Sequence, residues 1–108
     1  MIILLKKRKL AKFKFRNKKG FVYFLKPVSE PKPIKIGRAR DINRRIKQLQ
    51  TSLPYDLELI GSIEDCDCLE LERKIHKENK EQRINREWYD INPSDAINII
   101  NNYNGIVN

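Results

Sequence analysis

Gly20-Phe21-Val22-Tyr23-Phe24-Leu25-Lys26-Pro27 sets the frame in which the rest of the chain is read. Residues 21–25 are aromatic, β-branched or aliphatic, as a pleated, half-buried surface requires, and a glycine and a proline bound the run. The run predicts a strand. The next segment, Pro27-Val28-Ser29-Glu30-Pro31-Lys32-Pro33, carries three prolines and no apolar period, which predicts a surface loop. Ile34-Lys35-Ile36 then predicts a second, short strand, so the two runs form a β-hairpin with a long tip.

Beyond Gly37 the period changes. Asp41 can cap a helix whose apolar positions Ile42, Ile46 and Leu49 fall on one face. Arg38, Arg40, Arg44 and Arg45 crowd its first turns, where cations oppose the helix macrodipole at a cost of a few tenths of a kcal/mol each. Local stability does not account for that concentration, whereas a bound anion does. Pro54 breaks the chain, and Leu57-Glu58-Leu59-Ile60-Gly61-Ser62-Ile63 alternates as a third strand that covers the first two. A second helix opens near Asp65 and Asp67. Its stripe is Cys68, Leu71 and Ile75, and Glu72 and His76, four apart, share the neighbouring face. Residues 83–86 are polar, Glu87-Trp88-Tyr89-Asp90-Ile91 predicts a short extended segment, and Pro93 opens a last helix over residues 94–103 with Ala96, Ile97 and Ile100 inward.

A chain of 108 residues has room for one domain with one modest core. With 34% charged and 40% hydrophobic residues, and Trp88, four Tyr and four Phe to anchor a core, it reads as globular and not disordered. The net charge of +9 is unevenly placed. Nine of the 23 basic residues lie before Gly20, where no acidic residue occurs, leaving 14 basic against 14 acidic residues in the body. The division is thus a basic arm over residues 1–19 and a domain over residues 20–108. The arm, with Lys6, Lys7, Arg8 and Lys9 at its centre, reads either as a phosphate-seeking tail or as a solubilising terminus. Met1-Ile2-Ile3-Leu4-Leu5 is too short for a signal-peptide core, and no stretch approaches the roughly 20 apolar residues of a membrane span. The expectation is an intracellular protein, cytoplasmic or, in a eukaryotic host, nuclear, and not secreted. Cys66 and Cys68 with one distant His76 make neither a disulfide framework nor a four-ligand zinc site, and read as reduced residues near a helix start.

Taken in order, a strand, a strand ending in Ile-Gly, an arginine-rich helix, a strand and a helix with an internal glutamate resemble the GIY-YIG nuclease superfamily, named for signatures on its first two strands. Here those signatures read Val22-Tyr23 and Lys35-Ile36-Gly37. More narrowly, the chain is similar to a compact branch frequent in phages and viruses. That branch carries Lys-Ile-Gly, then Leu-Gln-Thr, Pro-Tyr, Glu-x-x-x-His and Glu-Trp-aromatic blocks. The counterparts are Leu49-Gln50-Thr51, Pro54-Tyr55, Glu72 with His76, and Glu87-Trp88-Tyr89, so the resemblance covers residues 20–91. Three departures stand out: Lys35 for the second signature's Tyr, Phe21-Val22-Tyr23 for Gly-Ile-Tyr, and Asn79 where the branch usually has an aromatic residue.

The resemblance implies an α/β sandwich with a small, mainly three-stranded antiparallel sheet flanked by helices. It further implies a divalent-metal-dependent endonuclease, with Mg²⁺ or Mn²⁺ as cofactor and single- or double-stranded DNA as partner, acting as a monomer or a homodimer and away from membranes. The alternative is a nucleic-acid-binding module that keeps the fold without cutting. Phosphodiester hydrolysis needs a deprotonated water, charge neutralisation at the phosphoryl oxygens and stabilisation of the leaving alkoxide. The resemblance gives Tyr23 the water. A phenol of pKa about 10 is a poor base unless a cation helps it, and Lys35, one strand across, is the candidate cation. Otherwise Tyr23 is a core aromatic and Lys35 a solvated strand residue. Arg45 corresponds to the superfamily's helix arginine, whose fork suits two phosphate oxygens. Glu72 corresponds to the metal-binding glutamate, with Glu70 its rival. His76 is either a proton donor to the leaving group, a support for a metal ligand, or structural. Arg38, Arg40 and Arg44, with Lys6, Lys7, Arg8 and Lys9, are the candidate backbone contacts, and Trp88 and Tyr89 close the core or stack on bases.

Overall fold

A computed structural model describes residues 19–108. The arm, apart from Lys19, and its candidate contacts Lys6, Lys7, Arg8 and Lys9 therefore lie outside the described residues. The predicted hairpin forms as β1 (Gly20–Pro27) and β2 (Ile34–Ala39), paired antiparallel with Tyr23 opposite Gly37 and Phe24 opposite Ile36. The long tip is held from inside the hairpin. Lys26 Nζ donates to the carbonyls of Pro27, Val28 and Glu30 at 3.1, 3.5 and 3.2 Å and pairs with Glu58 at 3.4 Å, so one ammonium ties the end of β1 to the loop that follows it.

The sheet differs from the three strands expected. The third strand, β3 (Leu57–Asp65), does not cover the hairpin but pairs antiparallel with β1 in the same sheet, with a bulge between Phe24 and Leu25. Three short strands extend it: β4 (Arg83–Asn85), β5 (Trp88–Tyr89) and β6 (Ile106–Val107), in the order β4-β5-β2-β1-β3-β6. The polar stretch over residues 83–86 is thus partly an edge strand. Its residues are exposed on both sides, so they show no alternation.

Strand alternation then sorts the helices. Val22, Phe24, Ile34 and Ile36 face one way, against Leu71 and Ile75 of α2 (Cys68–Glu78) and Ala96 and Ile100 of α3 (Pro93–Asn102). Tyr23, Leu25 and Leu57 face the other way, where Ile42, Ile46 and Leu49 of α1 (Ile42–Gln50) pack on them together with Trp88. The α/β sandwich expected from the sequence is thus present, with one helix on one face and two on the other among the described residues. Each helix starts on a side-chain cap worth about 1 kcal/mol. Asp41 accepts from Arg44 N at 3.1 Å and Asp67 from Glu70 N at 3.2 Å. Asn92 and Asp95 form a reciprocal capping box around Pro93, which needs no donor there. Asn79 ends α2, its side chain donating to the Ile75 carbonyl at 2.8 Å, a capping use that an aromatic residue could not serve. Neither cysteine is in a disulfide, Cys66 being exposed and Cys68 buried. Among the described residues no helix is long and apolar enough to cross a membrane.

Candidate active site

The open edge of β2 gathers the site. Along β2, β5 pairs only with Ile34 and Lys35, and beyond them the two backbone groups of Ile36 are taken individually. Ile36 N donates to the Glu87 carbonyl at 2.9 Å, and His76 Nε2 donates to the Ile36 carbonyl at 2.9 Å. A buried strand edge must be satisfied by something, and here a turn and an imidazole do it. The His76 ring also lies against Tyr89, centroids 5.4 Å apart. Its Nε2 is therefore engaged with backbone, and only Nδ1 remains for any exchange of protons.

On the α1 face the Tyr23 ring lies across Gly37, its strand partner. A Cβ at Gly37 would stand 2.6 Å from Tyr23 Cζ and closer still to the hydroxyl, so the missing side chain is what lets the phenol reach the edge of the sheet. Tyr23 is 1% exposed. Gly37→Ala is expected to destabilise the domain by about 1–3 kcal/mol, as overpacking does. Urea unfolding of the two proteins measures this, and a difference below about 0.5 kcal/mol, within the scatter of neutral surface changes, would mean that the ring has room to move.

The cation beside the Tyr23 hydroxyl is Arg45 and not Lys35. Burial pushes the Tyr23 phenol above its usual value. Hydrogen bonding and charge from Arg45 pull it back, and the carboxylates of Glu87 and Glu72 push it up again. The contact with Tyr23 in turn strengthens the hold of Arg45 on its proton. Yet neither Tyr23 Oη nor Arg45 Nε completes a well-aligned hydrogen bond, and both atoms are buried. Arg45 Nη1 reaches only Gln48 Oε1, at 3.5 Å. Arg45 therefore has donor capacity to spare. It lines a cleft of about 260 Å³ with Arg38, Arg40, Asp41, Arg44 and Gln48, so the arginines that crowd the helix start share one concavity.

Lys35 has a different partner. It is 8% exposed, far from the solvated strand residue that the flanking isoleucines allow, and its ammonium pairs with Glu87 Oε1 at 3.0 Å and sits 5.5 Å from the centre of the Trp88 ring. Glu72 is 7% exposed. Its Oε1 meets Arg38 Nε at 3.5 Å, while Oε2 is buried with no hydrogen-bond partner. Burial, and then the charge of Glu87, raise the Glu72 carboxyl to about 7 against the pull of Arg38 and Lys35, and the Glu87 carboxyl is near enough to hydrogen-bond it. Two carboxyls can do so only when one carries a proton. The rival Glu70 is exposed in the first turn of α2, its amide occupied by the Asp67 cap.

The structure thus brings Tyr23, Arg45, Lys35, Glu72 and Arg38 to one edge of the sheet, with Arg40 and Arg44 beside them, and adds a residue given no role in the sequence reading. Glu87 was legible as the head of a Glu-Trp-Tyr block, but its partners Lys35 and Glu72 lie on β2 and α2. Pairing between β5 and β2 was the signal that could have found it. Tyr89 is buried in the core below this edge, whereas Trp88 is half-buried on the α1 face.

No curated protein and no solved structure matches the chain at a significant level. One family pattern, that of the T5orf172 domain, matches residues 20–104, which include every element from β1 to α3 and every site residue described above. With most of its length matched, the chain belongs to the T5orf172 domain family, a phage-associated domain of nuclease type.

Proposed function

We propose that this domain is a divalent-metal-dependent endonuclease of the GIY-YIG type that hydrolyses DNA phosphodiester bonds inside the cell. The observation that carries the reading is Glu72 Oε2, a carboxylate oxygen buried without a partner on a side chain whose other oxygen meets Arg38, one of the arginines that line the cleft. A fold does not leave such an atom unsatisfied without cost, and a hard cation with oxygen ligands is the natural occupant of the position. Glu72 would hold Mg²⁺ or Mn²⁺ together with waters and a substrate phosphate oxygen. When bound, such an ion lowers the pKa of a coordinated water and neutralises phosphoryl charge.

The remaining roles belong to the chain. Arg45, with its unspent donors, grips the scissile phosphate, and Arg38, Arg40 and Arg44 hold the neighbouring backbone. Tyr23, whose phenol is made less acidic by burial, orients the attacking water through its hydroxyl instead of ionising to take a proton. His76 fixes the Ile36 carbonyl, and thereby the strand that carries Lys35 and Gly37. The arm, with Lys6, Lys7, Arg8 and Lys9, adds sequence-independent, salt-sensitive affinity.

A second reading, a nucleic-acid-binding module that does not cut, draws on a specific observation. Among the described residues no group of three or more His, Cys, Asp or Glu could hold a metal ion. Cleavage of labelled single- and double-stranded DNA with Mg²⁺, Mn²⁺ or EDTA separates the two. Metal-dependent cutting that is lost in Glu72→Ala and falls by about two to three orders of magnitude in Arg45→Ala supports the nuclease. Salt-dependent binding with no cutting under any metal makes it the binding module.

A further inference from the structure

We propose that Glu87 is a second carboxylate ligand, so that the divalent cation is held between Glu72 on α2 and Glu87 on the turn from β4 to β5. This rests on the reading of Glu72 as a metal ligand and goes beyond it in naming the partner.

The oxygens account for the arrangement. Arg38 takes Glu72 Oε1 and Lys35 takes Glu87 Oε1, so each carboxylate is pinned by one cation and keeps its second oxygen. On Glu72 that second oxygen is buried and unpartnered, and the Glu87 carboxyl lies within hydrogen-bonding reach of the same group. Two ionised carboxylates placed so close repel each other, and only a proton or a cation between them makes the geometry favourable. Waters and substrate oxygens would complete the coordination shell of a hard cation there.

The backbone also holds Glu87 in place. Arg86, immediately before it, occupies the left-handed region at φ 51°, unusual for a residue with a side chain, and its carbonyl accepts from Arg83 Nε at 2.6 Å. The Glu87 carbonyl is fastened to Ile36 N. An exposed turn with no duty has no need of three such constraints. Charge completes the argument. Glu72, Glu87, Lys35 and Arg38 sum to zero, so a bound dication leaves the site with its full double charge facing a phosphodiester.

Trp88, the only tryptophan in the chain, adjoins Glu87 and reports on the site directly. Mn²⁺ is titrated into the full chain and quenching of the Trp88 fluorescence is followed for the native protein and for Glu87→Gln, Glu72→Gln and Glu70→Gln, with circular dichroism to confirm folding. The expected result is saturable quenching in the native protein, unchanged in Glu70→Gln and weakened at least about tenfold in both Glu87→Gln and Glu72→Gln. If Glu87→Gln binds Mn²⁺ as the native protein does while Glu72→Gln does not, Glu87 merely positions Lys35; the inference is overturned and the role of Glu72 survives. If Glu72→Gln also binds normally, or the native protein shows no saturable quenching, both fall. Should Glu87→Gln fail to fold, Glu87→Asp carries the test, because a carboxylate withdrawn by one methylene must weaken Mn²⁺ binding and an unchanged affinity refutes the ligand role.

Discussion

Glu72→Gln is expected to make the metal-free protein more stable at pH 8, by up to about 3 kcal/mol, while removing its cleavage activity. The Glu72 carboxyl rises from its ordinary 4.5 to about 7 in the folded protein, chiefly because burial and then the charge of Glu87 disfavour its ionised form. The folded state therefore holds this proton more tightly than the unfolded chain does. Its contribution to stability is complete below about pH 4.5 and is lost as pH rises through about 7. Glutamine has no proton to lose and can donate an amide N–H towards Glu87, so the advantage of the variant should be small at pH 4 and grow towards pH 8. Urea unfolding of both proteins in EDTA at pH 4, 6 and 8 gives the difference, in which titrating groups remote from Glu72 and Glu87 cancel. A difference that does not grow with pH would mean that Glu72 is solvated as an ordinary surface carboxylate. Adding Mn²⁺ should then raise the stability of the native protein alone, by preferential binding to its folded state.

Tyr23→Phe should lower the cleavage rate by about two to three orders of magnitude and leave stability unchanged to within about 1 kcal/mol. The ring fills the space across Gly37 and is retained in the variant. The hydroxyl is the buried atom with no completed hydrogen bond, so folding gains little from it. Loss of stability on removing Oη would show that Arg45 bonds it firmly in solution. Unchanged cleavage would sink the assignment of the water to Tyr23 and shift attention to the carboxyls. Steady-state cleavage at saturating DNA, set beside thermal unfolding, reads both effects. Glu72 and Tyr23 share one signature, in that each keeps a buried polar atom that the fold alone does not use.

The elements with strong periods were legible. Residues 22–25 alternate between two apolar clusters, and Ile42, Ile46 and Leu49, or Leu71 and Ile75, mark helical faces that the structure buries or half-buries. The caps Asp41 and Asp67 stand where the sequence placed the helix starts. β4 and β6 were not legible. Three and two residues long and exposed on both faces, they owe their conformation to a neighbour's unpaired backbone and not to a pattern of their own. The same cause hid half of the site. Lys35 was expected beside Tyr23, but an ammonium on β2 can swing to whichever anion is nearer, and that anion comes from a turn some fifty residues later. His76 was visible as a side chain beside an apolar stripe, yet its partner is a carbonyl, which no residue type announces.

Among the three described α-helices, α1 alone contains no buried residue, although it supplies Arg45 and part of the arginine-lined cleft, whereas α2, which carries Glu72, is anchored by the buried side chains of Cys68, Leu71 and Ile75. Opening free energies within one native structure follow such differences in anchorage. The two halves of the site are thus expected to open as different cooperative units. The arginine half is expected to open and re-form while the carboxylate half stays assembled, so amide protons in α1 should exchange with solvent well before those of α2, and a polyanion that binds the arginines should narrow that gap.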